Sequence, residues 1–170
     1  KEIYEAYAKS LIERGLAYPC FCSPEDLDEI RTKQEAAKLR PGYYGVWAKC
    51  RTMPIDEVVE RIKKGDKFIK SQGSEARKIK HKDVIKGNLE FPENDQDIVI
   101  IKADGLPTYH FAHAVDDHLM RVTHVIRGDE WLSSLPLHLE LFYALGFKAP
   151  KYAHTSTIMK DENGNKRKIS

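Results

Sequence analysis

The sequence predicts an α/β fold in which a parallel, doubly wound sheet follows a smaller mixed α/β unit. Past Asp97 the pattern runs strand, helix, strand, with polar residues collected where the strands stop. Before it, helical stripes are each closed by Gly or Pro. Of 170 residues, 41% are hydrophobic and the net charge is only +2, which suits one sizeable core or two small ones. That balance argues against a chain built mainly to bind polyanions. No apolar run approaches the roughly 20 residues of a membrane span. The opening KEIYEAYAKS has no apolar stretch of the signal-peptide kind. Three cysteines form no disulfide framework and suit a reducing cytoplasm.

In chain order, Ile3, Tyr4, Tyr7, Ala8, Leu11 and Ile12 share one helical stripe that Gly15 closes. After YPCFC, Ser23 can cap a second helix, with Pro24 at its first position and Asp26 as the capping-box acid. That helix is expected to reach about Leu39, before Pro41-Gly42. A third runs from Ile55 to Lys64 and stops at Gly65. Short strands and turns are expected between Lys67 and Asn94, and a boundary near residues 100 to 105. DIVIIKADG, VTHVIRGDEW and YAHTSTIM read as strands. Ser133 or Ser134 is expected to cap a helix ending at Leu145-Gly146, and Asn163-Gly164 is a turn signal.

Four stretches can carry chemistry. Arg127, beside Asp129 and Glu130 at a strand end, is placed to bind a carboxylate or phosphate, although a surface ion pair would look the same. Tyr109 and His113 are four apart and share a face if helical, in a segment that also holds His110, His118, Asp116 and Asp117. Their spacing matches no specific metal pattern. Cys20, Cys22 and Cys50 supply three of the four ligands that zinc requires, and equally read as buried free thiols. Lys166, Arg167 and Lys168 are a compact cation cluster able to face triphosphate oxygens, or a solvated tail.

In order, these stretches resemble glutamyl-tRNA synthetase, a class I aminoacyl-tRNA synthetase. The similarity covers nearly the whole chain. Its most specific part is GLPTYHFAHAVDDHLMRVTHVIRGDEWLSSLPLHLELFYALGF. The resemblance implies part of a Rossmann-like catalytic fold with an inserted α/β domain that holds the tRNA acceptor end. Residues 1–18 would end the first half of the catalytic fold, 19–103 would form the insertion, and 104–170 would begin the second half. It further implies a glutamate pocket lined by Tyr109, His110, Phe111, Ala112 and His113, with Arg127 pairing a substrate carboxylate. Glu130 and Trp131 would lie near ATP. Lys168 to Ser170 would open the mobile Lys-x-Ser-Lys loop, with Lys168 and Ser170 acting on the phosphates.

The implied activity is ATP-dependent ligation of L-glutamate to tRNA(Glu) through a glutamyl-adenylate, with Mg2+ accompanying ATP and a monomer free of membranes. Some relatives hold zinc through cysteines matching Cys20 and Cys22, a third cysteine and a tyrosine; here Cys50 and Tyr44 are the expected partners. Position 113 departs from the family, where Asn is common; His113 still donates a hydrogen bond. The His-x-Gly-His motif and the second lysine of the phosphate loop are expected outside residues 1–170, so the chain reads as an internal fragment that is inactive alone. Two alternatives remain. A glutaminyl-tRNA synthetase shares the architecture, but Arg127 favours glutamate. A non-catalytic acceptor-end binding module is the other, supported by the cations between Arg61 and Lys82.

Overall fold

The first helix, α1 (Glu2–Glu13), buries Ala8 and Leu11, and Gly15 follows in the left-handed region at φ +69. The computed structural model describes residues 1–64, 68–71, 78–92, 94–156, 159–162 and 165–168. Strand β1 (Ala17–Cys20) leads to α2 (Pro24–Ala36), whose capping box forms as the sequence predicts: the Asp26 amide donates to the Ser23 hydroxyl and the Ser23 amide to the Asp26 carboxylate. This helix stops short of Leu39 because Lys38 already takes a left-handed φ of 56. Two turns of 3₁₀ helix, Gly45–Trp47 and Lys49–Thr52, precede α3 (Ile55–Lys64), which has the expected bounds.

Strands β2 (Phe68–Ser71), β3 (Ile79–Asp83), β4 (Gly87–Phe91) and β5 (Ile98–Ile101) come next. The first sheet orders β1-β2-β5, all antiparallel, and β3 with β4 makes a hairpin. Helix α4 (Tyr109–Leu119), strand β6 (His124–Gly128), a 3₁₀ segment Asp129–Ser134, helix α5 (Leu135–Leu145) and strand β7 (Lys151–Thr155) complete the expected strand–helix–strand unit. β6 and β7 are parallel, with Arg127 opposite His154. Ser134 precedes α5 but its hydroxyl makes no cap, because its backbone is already helical. Gly146 ends α5 at φ 72. A last antiparallel pair joins β8 (Met159–Glu162) to β9 (Asn165–Lys168); Asn163-Gly164 lies outside the described residues.

Two cores hold these elements. One packs α1, β5, α4 and α5 through Leu11, Ile100, Phe111, Val115, Leu141 and Phe142. The other gathers Tyr18, Cys20, Cys22, Ile30, Tyr43 and Cys50. Strand β1 contributes Ala17 to the first and Tyr18 and Cys20 to the second, so one short strand joins them. The hairpin turn after β3 is docked on β7, where the Val84 amide donates to the Tyr152 carbonyl at 2.8 Å. Phe111 is fully buried in the first core. Phe111→Ala is expected to cost about 3–5 kcal/mol in the full-length protein, measured as a shift of the chemical denaturation midpoint.

Candidate active site and cysteine cluster

Helix α4 sorts its residues by face. Phe111, Ala114 and Val115 turn into the core, whereas Tyr109, His110 and His113 gather beside β6 and α5. Phe111, expected in the glutamate pocket, therefore belongs to the core stripe, since 111, 114 and 115 follow helical spacing. Ala112 is half-buried and brings no polar group. Tyr109 is half exposed and packs on Trp131 with ring centroids 5.1 Å apart. His118 lies elsewhere, stacked on Phe147 at 3.6 Å.

Arg127 is the centre of the cluster. Its Nε donates to His154 Nε2 at 2.9 Å and its Nη1 to His138 Nδ1 at 3.0 Å. The guanidinium also covers the Tyr152 ring at 4.8 Å. A guanidinium only donates, so both imidazoles accept at those nitrogens. His138 then carries its proton on Nε2 and donates to His110 Nδ1 at 2.8 Å. His154 carries its own on Nδ1, 2.6 Å from Asp83 Oδ2. His113 Nε2 meets the Tyr152 hydroxyl at 3.0 Å, and its Nδ1 lies 3.4 Å from Asp117. Arg127 Nη2 is buried with no hydrogen-bond partner among the described residues.

Burial disfavours charge on three of the rings in this cluster. Burial, with His113 and Arg127 nearby, pushes His138 down to about 2. Burial likewise lowers His110 and His113. It also lowers Arg127, whose ordinary value is high enough to keep it charged. Burial would raise Asp83, but the Lys86 amide, the His154 ring and the Ile85 amide hold it well below the usual carboxylate range. The arrangement is one half-buried cation among imidazole rings, with Asp83 and Asp117 beyond them and one donor, Nη2, without a partner among the described residues.

Glu130 and Trp131 lie in the 3₁₀ segment after β6. The Glu130 carboxylate folds back over Gly128, where an added Cβ would collide with it. Asp129 pairs with Lys86 at 3.3 Å. Lys168 ends β9 opposite Met159, and Ser170 lies outside the described residues. The basic stretch is partly neutralised: Arg61 pairs with Glu57, and Lys78 and Lys80 with Glu90, while Lys67 and Arg77 lie outside the described residues. Sequence reasoning missed Asp83, His138, Tyr152 and His154. The only signal for the histidines was their place in apolar runs, LPLHLEL and YAHT.

The second cluster is the sulfur site. The ligand atoms of Cys20, Cys22 and Cys50 lie within 4.8 Å of one another, all buried. The Tyr43 hydroxyl, not that of Tyr44, is their neighbour, 3.2 Å from Cys22 Sγ and 3.6 Å from Cys20 Sγ. Tyr44 instead donates to the Arg40 carbonyl at 2.7 Å. The loop explains the choice. Gln34 bonds both the amide and the carbonyl of Gly42, fixing the turn that aims Tyr43 inward. Cys22 and Cys50 sulfurs are 3.7 Å apart, close to the edge of a tetrahedron built on ~2.3 Å zinc–sulfur bonds. Hydrogen bonds from Cys20 and Cys22 pull the Cys50 thiol far down, so the cluster favours a thiolate there.

The family model of the tRNA synthetases class I (E and Q), catalytic domain, matches residues 1–170. The chain is 57% identical to the glutamate–tRNA ligase of Clostridium beijerinckii, covering 99% of this chain and 31% of that protein. It is 53% identical to that of Acetivibrio thermocellus, over 99% of this chain and 32% of the relative. A solved glutamate tRNA ligase from Elizabethkingia meningosepticum, in complex with its amino acid, superposes with a TM-score of 0.84 at 37% identity, over 99% of this chain and 34% of that one. The chain thus spans about a third of the length of the relatives it matches. Among the described residues, no helix is long and apolar enough to cross a membrane. With the match extending from the first residue to the last, the chain belongs to the class I tRNA synthetases (E and Q), in the region of their catalytic domain.

Proposed function

We propose that the chain supplies the amino-acid pocket of an enzyme that joins L-glutamate to tRNA(Glu) at the expense of ATP. The observation that carries this reading is the buried Nη2 of Arg127, a charged donor with no partner among the described residues. Glutamate brings two carboxylates, and a guanidinium already held at Nε and Nη1 can bind one of them without reorganising. Tyr109 adds a neutral donor on the same helix face. The remaining carboxylate would attack the ATP α-phosphate, forming glutamyl-adenylate and releasing pyrophosphate. The glutamyl group then passes to the terminal ribose of tRNA. Mg2+ accompanies ATP, held mainly by phosphate oxygens and water. Glu130, Trp131 and the segment from Lys168 to Ser170 are read as the nucleotide side. Residues 1–18 and 104–170 are read as catalytic fold, and 19–103 as the insertion that meets the tRNA acceptor end.

In the full-length protein, Arg127→Ala should lower kcat/KM for glutamate-dependent pyrophosphate exchange by about ten- to a hundredfold or more, since a hydrogen bond to a charged group contributes about 1.5–3 kcal/mol. Unchanged exchange, or exchange with glutamine in place of glutamate, refutes the reading.

The pocket also requires neutral rings. His138 has a native value near 2 against an ordinary 6.5, so the unfolded chain binds its proton first on acidification. Stability is therefore full above about pH 6.5 and falls below it, by about 1.4 kcal/mol per pH unit. Denaturation midpoints measured at pH 7 and pH 5 should show this loss, and His138→Gln should flatten it.

Cys20, Cys22, Cys50 and Tyr43 are the residues that would hold zinc, which would tie β1, the α2 entry and the 3₁₀ turn together. Metal analysis of the purified full-length protein should find about one zinc per chain. Tyr43→Phe should speed its loss to a chelator, and Tyr44→Phe should not.

A further inference from the structure

We propose that Asp83, in the β3–β4 hairpin, is a positioning residue for Arg127, acting through the tautomer of His154. The two carboxylate oxygens have separate tasks. Oδ1 accepts from the amides of Ile85 and Lys86, each at 2.9 Å, and from the His154 amide at 3.3 Å, which shapes the turn and docks it on β7. Oδ2 takes the His154 ring proton at 2.6 Å. A turn needs only the first oxygen. The second decides which ring nitrogen of His154 is bare.

With the proton held on Nδ1, His154 Nε2 keeps its lone pair and accepts from Arg127 Nε at 2.9 Å. Asp83 and His154 are both buried, at 1% and 0% exposure, so no solvent competes for either proton position. His154 cannot serve Arg127 in its other tautomer, which would set an N–H against the guanidinium N–H. His138 already holds Nη1, and Tyr152 lies under the plane. Fixing Nε therefore fixes the whole planar group and the direction of Nη2, which has no partner among the described residues. Asp83 makes no hydrogen bond or ion pair with Arg127 among the described residues, acting on its charge only across space, and is no catalytic residue. Its effect crosses from the hairpin to the parallel strand pair, through one imidazole.

Asp83→Asn separates the two tasks. Its amide oxygen still caps the turn, but its NH2 donates to His154 Nδ1 and forces the proton onto Nε2, against Arg127. This inference rests on the glutamate-pocket reading only for its kinetic readout. In the full-length protein with nitrogen-15 histidine, His154 is expected to show the Nδ1–H pattern, and Asp83→Asn the Nε2–H pattern. The variant should raise KM for glutamate about tenfold or more, by loss of one charged hydrogen bond, with KM for ATP changed less than about twofold. An Nε2–H or doubly protonated His154 in the unaltered protein overturns the proposal, whether or not the variant folds. So does a variant in which both KM values stay fixed or move together. Failure of the unaltered protein to activate glutamate would instead overturn the pocket reading, and the tautomer measurement would still decide this one.

Discussion

Arg127 is a cation taken largely out of water, and among the described residues no carboxylate pairs with it. Removing a charge from solvent costs several kcal/mol unless its hydrogen bonds are met. Here neutral acceptors meet two of its nitrogens, and an aromatic face covers the plane. That solution dictates much around it. The rings must stay unprotonated, so they are buried; they must present particular nitrogens, so each leans on a further partner. His138 leans on His110 and His154 on Asp83. Helices α4 and α5, strand β7 and the β3–β4 turn thus meet around one side chain. One of its nitrogens, Nη2, is left without a partner among the described residues.

The sulfur cluster solves a different problem. The second core is small, built around β1, α2 and two 3₁₀ turns, and much of its wall is loop. Buried polar groups stand in for missing apolar bulk. Gln34 closes on Gly42, and Asp97 receives the Tyr18 hydroxyl and the Arg51 guanidinium. Tyr43 and the three cysteines sit inside this frame. A metal there would add cross-links where hydrophobic area is scarce, which is how small units commonly gain stability.

Local features were legible in the sequence, and long-range ones were not. The capping box at Ser23 and the bounds of α3 follow from residues within a few positions of one another, and the structure has both. The parallel strand pair was readable because two short β-branched or apolar runs flank an apolar helix closed by Gly146. Tyr43 and Tyr44 could not be told apart: neighbouring positions point to different sides, and the choice is made by Gln34 and Gln96 from other segments. Phe111 shows the reverse case, where helical spacing alone would have assigned it to the core with Ala114 and Val115. Asp83 stands 71 positions before its partner His154, in a stretch that reads as a cationic surface. No pattern in one sequence announces such a pair.

The alignment of Arg127 with His154 across β6 and β7 has a consequence for assembly of the sheet. A one-residue slip between the strands would turn one partner to the opposite face, leaving a guanidinium or a sealed imidazole with nothing to bond. Apolar strands such as these, flanked by Val125, Ile126, Tyr152 and Ala153, would tolerate several alignments on hydrophobic grounds alone. The polar pair penalises all but one. The Arg127–His154 pair thereby acts as a register lock, so the atoms that orient one guanidinium also fix the alignment of two strands.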